Sequence, residues 1–337
     1  MDWIEILLIP FLVTFIFAGA VLGAGAYVTL FERKLCARFQ IRYGPNRAFR
    51  FGLLQPIADA IKAFMKEEIV PAFVDKWVYV MAPGVTFAAV VITFGVIPVG
   101  RTWEVFGYPI RLQIADLDIG LLYVMAIAGL GSYGVVLGGW ASNNKYSILG
   151  ALRTTAQLIS YELPMGLALV SVALLVGSLK MSEVVGFQRT LPLIVLQPIG
   201  FFLYLISGFA ENNRSPFDLP ETENELVSGF ATEYGGIKFA LFFIAEYANM
   251  VVISSIVATV FLGGWQWPAF IADIHPLLSV GVFAVKVLLM LFLYVWVRAS
   301  LPRVRFDKLM NFSWTFMFPL ALLNLAVTAV VVVLVAP

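Results

Sequence analysis

Ile6–Phe31 is a run of 26 residues without a charge, and Trp77–Gly100, Ile119–Asn144, Thr190–Ala210 and Leu309–Pro337 are also charge-free. A helix crossing a bilayer needs about 20 predominantly apolar residues, so each run is long enough to span. Three further runs are interrupted by isolated charges: Ala156–Gly177 with Glu162, Ile237–Leu262 with Glu246 and with Lys238 at its start, and Leu277–Val297 with Lys286. Lipid offers no hydrogen-bond partner to an exposed backbone, so these segments must be helices and not open strands. The alternating pattern of a membrane barrel is absent, and the runs exceed the length of a barrel strand. The expected fold is an all-α integral membrane protein of about eight transmembrane helices, a single membrane domain over residues 1–337. The first run follows Asp2 and Glu5 instead of a basic head, so it reads as a permanent helix and not a signal peptide.

Composition narrows the function. Charged residues make up 13% of the chain, against roughly 25% in soluble domains. A net charge of +1 argues against nucleic-acid binding. One cysteine, Cys36, and one histidine, His275, rule out a cysteine-ligated cluster, a bis-histidine haem and a zinc site needing two histidines. No metal site and no redox centre within this chain are expected. Lysine and arginine orient the helices: seventeen fall in Glu32–Lys76 and the connections on its side, four (Arg101, Arg111, Lys180, Arg189) on the other. The positive-inside rule then places both termini on the outer face.

Six stretches carry a family resemblance: ERKLCARFQIRYGPNR (Glu32–Arg47), GLLQPIADAIKAFMKE (Gly52–Glu67), GGWASNNKYSILGALR (Gly138–Arg153), SPFDLPETENELVSGFATEYGGIKF (Ser215–Phe239), AEYANM (Ala245–Met250) and RASLPRVRFD (Arg298–Asp307). In this order they resemble the H subunit of proton-translocating NADH:quinone oxidoreductase, respiratory complex I, nearly end to end. The resemblance implies a subunit with no redox chemistry of its own, at the junction of membrane and peripheral arms, in a bacterial inner membrane rather than an organellar one. Its partners would be peripheral-arm quinone-site subunits and neighbouring membrane subunits. FMN and iron–sulfur clusters would lie in those partners, with quinone as substrate. Two alternatives stand beside it. Similar subunits serve ferredoxin- or deazaflavin-fed relatives, and this sequence does not touch the electron donor. A stand-alone ion-coupled transporter would show repeated halves, and no convincing repeat is present.

The basic connection, residues 32–76, contains apolar positions at helical spacing from Leu53 to Met65, with Gln55, Asp59, Lys62 and Lys66 on the other face. By pattern this is an amphipathic helix in the membrane interface, its lysines reaching lipid phosphates. Glu32 and Arg33, at the end of the first run, read as a helix-end ion pair by position alone. A quinone headgroup presents two carbonyl acceptors and suits a guanidinium donor, and the resemblance places Glu32, Arg33, Asp59, Phe217 and Phe230 around the quinone chamber.

The connection 211–236 lies on the face that should be basic, yet it holds Glu211, Asp218, Glu221, Glu223, Glu225 and Glu233 against one base, Arg214. Charge alone fits a solvated loop. Pro216, Phe217, Leu219, Leu226 and Phe230 are too apolar for one, and crowded carboxylates in a partly buried setting cannot all ionise. The resemblance makes Glu211, Glu221, Glu223 and Glu225, together with the intramembrane Glu162 and Glu246, a proton relay. Intramembrane acids are functional by default, the bland reading being a protonated carboxyl bonded to a neighbouring helix. Lys286 either pairs with one of these acids or fixes helix packing. Gly129–Gly134 matches a dinucleotide fingerprint literally, but it lies inside a spanning run where small residues serve helix packing. Some relatives carry a glutamate where this chain has Gly129, which breaks one branch of the expected carboxylate chain. His275 is assigned no role.

Overall fold

The computed structural model describes residues 9–105, 108–219, 226–268 and 274–335. Glu221, Glu223 and Glu225 therefore lie outside the described residues. The helices in chain order are α1 (Ile9–Phe39), α2 (Gln55–Met65), α3 (Lys76–Phe94), α4 (Gly120–Ala141), α5 (Lys145–Val176), α6 (Met181–Phe187), α7 (Leu193–Leu196), α8 (Pro198–Glu211), α9 (Gly236–Val260) and α10 (Pro276–Ser300). The last, α11, runs from Phe306 through a π-helical turn at Ser313–Met317 to Val335. A two-stranded hairpin, β1 (Trp103–Val105) with β2 (Tyr108–Ile110), lies between α3 and α4. The chain is an all-α integral membrane protein in which α1, α3, α4, α5, α9, α10 and α11 are each long and apolar enough to span.

The fifth apolar run differs from a simple span. Pro198 supplies no N–H and Gln197 leaves the helical region (φ −130°, ψ 56°), so the run breaks into α7 and the 14-residue α8. At 1.5 Å per residue α8 is roughly 21 Å long, short of the ~30 Å hydrocarbon core. Buried amides make up for the break. Gln197 donates to Thr328 and accepts from Asn324, joining the gap to α11. Gln188, fully buried, receives the N–H groups of Leu193 and Gly263.

The centre of the bundle is α9, which packs against α1, α3 and α10, while α5 packs against α4, α8 and α11. Two-thirds (67%) of the most apolar stretch of α9 is buried, so this helix faces protein rather than lipid and tolerates polar side chains along its length. Lys286 of α10 settles one open alternative. Its ammonium donates to the carbonyls of Leu262, Gly264 and Trp267, all within 2.7 Å, and lies over the Trp267 ring. These carbonyls follow the C-terminus of α9, where a cation also complements the helix dipole. Lys286 therefore fixes packing, and no carboxylate among the described residues forms an ion pair with it.

The amphipathic helix of the basic connection is α2. Pro56 in its first turn is buried, while Ile57, Ile61, Phe64 and Met65 are exposed in the isolated chain.

Candidate functional site

The described parts of five of the motif stretches meet at one end of the bundle, and the sixth, Ala245–Met250, lies further along α9. Glu32, in the last turns of α1, is only 5% exposed, and its partners are Arg298 of α10 and Arg214 from the acidic connection (3.9 Å). Arg33 turns the other way and pairs with Asp59 of α2 at 2.8 Å. The helix-end pair that position alone suggests is thus not formed; successive residues of a helix point about 100° apart, and each finds its own partner. Gln55, one turn before Asp59 on α2, donates to the same carboxylate at 3.0 Å. Glu32, Arg33, Cys36, Arg42 and Arg298 line an open cavity of about 550 Å³ at this end.

Behind that mouth lies Arg214. It is 6% exposed, with Nε 2.9 Å from Glu246 of α9 and its guanidinium 4.1 Å from the centre of the Tyr247 ring. An arginine suits this place because its planar fork presents donors in several directions and stacks on an aromatic face. Arg214 thereby spans the space between Glu32 at the mouth and Glu246 inside.

On the far side of Arg214 is a narrower interior cavity of about 90 Å³. Glu162 of α5, Glu211 at the end of α8 and Glu246 of α9 all line it, with Asn249, Ser132, Thr86 and Phe230. Space of this size holds several waters, since one needs only about 10–15 Å³. Glu246 and Asn249 are three residues apart on α9, the spacing that puts two side chains on one helix face, and both line the cavity beside the Glu211 carboxylate. Glu211 Oε2 and the Asn212 amide oxygen are buried with no hydrogen-bond partner among the described residues. Unpaired buried acceptors beside a polar cavity are what water satisfies.

The described part of the acidic connection is folded into the protein rather than solvated. Leu219, Leu226, Phe230 and Tyr234 are all buried. Gln157 of α5 donates to the carbonyls of Ala210 and Phe217, so it pins both sides of Arg214. Val304 N–H donates to the Pro216 carbonyl at 2.9 Å and Arg303 pairs with Asp218 at 2.9 Å, which ties in the closing motif. Toward α9, Tyr234 stacks on Tyr79 (centroids 4.2 Å, planes 8° apart) and Asn144 holds Glu233 at 2.6 Å. Burial, with Tyr79 alongside, raises the Tyr234 phenol well above its usual range, so it stays neutral.

The sequence-derived candidates separate into two groups. Glu32 and Arg33 line the mouth, with Asp59 bonded to Arg33. Glu162, Glu211, Glu246 and Phe230 line the interior cavity. Phe217 packs its ring on Tyr161 (5.6 Å) behind both. Arg214, Arg298, Asn249 and Gln157 were not singled out from sequence. Arg214 had a visible signal as the one base among six acids, and Asn249 as the residue one turn from Glu246. Among the described residues no group of three or more His, Cys, Asp or Glu is placed to hold a metal ion.

Residues 11–329 match the family model described as NADH dehydrogenase. A protein of Thermomicrobium roseum, named as the H subunit of an NADH-quinone oxidoreductase, is 50% identical over 98% of this chain and 98% of its own. Proteins of the same name from Protochlamydia amoebophila (49% identical, 91% of this chain and 92% of the relative) and Syntrophotalea carbinolica (46%, 92% of each) are also similar.

Proposed function

The chain belongs to the NADH dehydrogenase family, and from that premise we propose that it is the membrane subunit of an NADH:quinone oxidoreductase that forms part of the quinone chamber and couples quinone reduction to proton translocation. The observation carrying this reading is the continuous line of charge from mouth to interior: Arg298, Glu32, Arg214, Glu246, then the cavity shared with Glu211 and Glu162. Electrons would arrive from FMN and iron–sulfur clusters in partner subunits. This chain's own work is to bind the headgroup and to hold and move protons. Arg33, oriented by Asp59, offers donors at the mouth. Arg214 answers to carboxylates on both sides, and unit charges about 4 Å apart interact by roughly 4 kcal/mol at an effective dielectric of 20. A charge change at the mouth therefore alters how firmly Arg214 holds Glu246. Glu221, Glu223 and Glu225 would extend the relay toward the chamber.

Arg33→Ala tests the chamber. Electron transfer from NADH to a hydrophilic acceptor should survive, because it lies upstream in the partners. Quinone reduction should fall about tenfold, as expected for losing a charge-assisted hydrogen bond of ~1.5 kcal/mol, with altered inhibitor response. The amount of intact complex is measured alongside. Fully assembled complex with unchanged quinone kinetics would leave Arg33 only an orienting charge.

The basic end would face the cytoplasm of a bacterial inner membrane, by the seventeen-to-four charge bias. An impermeant thiol reagent should then reach Cys36 only in inverted vesicles. Thr190→Cys, exposed at the opposite end between α6 and α7, should be labelled only in right-side-out vesicles. The reverse result at Thr190→Cys overturns the orientation, whether or not partners cover Cys36.

A further inference from the structure

The turn of α5 that carries Glu162 is short of one internal hydrogen bond. Pro164 lies buried inside this helix and has no N–H to give to the carbonyl one turn back, that of Ser160. A buried carbonyl without a partner is costly, and here another helix supplies one. The Ser313 hydroxyl of α11 donates to the Ser160 carbonyl at 2.7 Å, and both serines are buried. Ser313 opens the π-helical turn of α11, in which the Phe318 N–H donates to the Ser313 carbonyl. Two further bonds cross at the same level. Trp314 Nε1 donates to Ser160 Oγ at 3.2 Å, and the Tyr161 hydroxyl donates to the Leu309 carbonyl at 3.1 Å. Ser160 and Glu162, two residues apart, point about 200° from each other around the helix. One therefore faces α11 while the other faces the interior cavity. Among the described residues none of α11 lines that cavity.

We propose that Ser313 is a positioning residue of the relay: its hydroxyl takes the place of the N–H that Pro164 lacks, and so ties the turn bearing Glu162 to α11. The inference rests on the relay reading above. Without the hydroxyl, the Ser160 carbonyl would be buried and empty, and the turn would have to shift to find another donor. Such a shift carries the Glu162 carboxylate with it, because Ser160, Glu162 and Pro164 lie within about one helical turn. The tie is conditional on the proline. Pro164→Ala would return the N–H, the Ser160 carbonyl would be satisfied inside α5, and the Ser313 hydroxyl would no longer matter to Glu162. A helix with no side chain in the cavity thus sets the place of an acid within it.

The experiment makes Ser313→Ala in the parent chain and in Pro164→Ala, within the assembled complex, with Ser171→Ala as the control. Ser171 of α5 is as fully buried as Ser313, but its hydroxyl donates inside its own helix, to the Leu167 carbonyl at 2.8 Å, so its loss strands no acceptor. It also lies outside the cavity lining. Quinone-linked turnover per intact complex and the infrared band of the Glu162 carboxyl are read, the band being identified by its loss in Glu162→Gln. Ser313→Ala alone should lower turnover by on the order of tenfold, as small misplacements of a reacting group do, and should shift the band. In Pro164→Ala the same change should lower turnover by less than about twofold, the mark of two residues that act as a pair, and leave the band in place. Ser171→Ala should match the parent, and transfer to a hydrophilic acceptor should be intact in every variant. Should Ser313→Ala leave too little complex, Ser313→Cys, whose thiol is a weaker donor, takes its place with the same readings. Equal losses on the two backgrounds, or no loss on either, overturn the proposal. Normal turnover in Glu162→Gln would instead count against the relay. The band then decides: a shift seen only where Pro164 is present establishes the tie, and an unshifted band overturns it.

Discussion

Arg214→Met should leave little assembled complex in the membrane. The substitution keeps an unbranched apolar stem but strips the buried cation of Arg214 from Glu246 and withdraws it from Glu32, which keeps Arg298. Removing one member of a buried ion pair costs about 3–5 kcal/mol, because the other charge stays buried without compensation. That is a large share of the 5–15 kcal/mol that separates a typical folded domain from its unfolded state. Arg214→Lys retains the charge but not the fork or the stacking on Tyr247, so partial recovery is expected. Arg214→Met combined with Glu246→Gln should assemble better than Arg214→Met alone, since the stranded charge is gone. Quantifying intact complex and its thermal unfolding in the three variants decides the matter. Parental amounts of Arg214→Met would mean that Glu246 does not depend on this arginine.

Glu211→Gln should assemble and yet lose quinone-linked turnover and proton pumping together, by about 10²-fold, the lower range for a positioned proton-transfer group. The amide keeps size and hydrogen-bonding capacity in the cavity it shares with Asn249, but it cannot titrate. A surface carboxylate replaced in this way would change stability by only about ±0.5 kcal/mol and turnover not at all. The reaction of NADH with a hydrophilic acceptor should continue, which separates a blocked relay from a broken electron path. Glu211→Asp should keep part of the activity. Glu225→Gln is expected to behave alike, and the Glu221→Gln, Glu225→Gln double variant should be less than additive, since relay members act as a unit. An assembled Glu211→Gln complex with normal quinone reduction and a normal proton-to-electron ratio removes Glu211 from the mechanism.

The long spans were legible because absence of charge over more than 20 residues leaves few alternatives in lipid. The break between α7 and α8 was less so, although Pro192 and Pro198 mark it. Composition reports apolarity along the run, while continuity depends on what holds the broken ends, here Gln188 accepting the Leu193 N–H at the start of α7 and the Gln197 side chain at the break bonding Thr328 and Asn324 of α11. Lys286 shows the same limit: its partners are backbone carbonyls, which carry no letter in a sequence. Glu162 and Glu246 stood out as isolated charges in apolar runs. Their meeting with Glu211, and the arginine bridge to Glu32, depend on helices distant in sequence. Phe217 and Phe230 belong to one connection but end on different sides of it.

The depth of Glu246 has an electrical consequence. It lies ten residues along α9 from Gly236, or roughly 15 Å from the basic end, about half of a ~30 Å hydrocarbon slab. Moving one elementary charge across the whole membrane against 100 mV takes about 2.3 kcal/mol, so a proton loaded onto Glu246 from the basic end works against about half of that voltage, ~1 kcal/mol. On the proposed relay and orientation, the membrane potential would act on the occupancy of the cavity itself, and a well-energised membrane would slow its own further charging at this carboxylate.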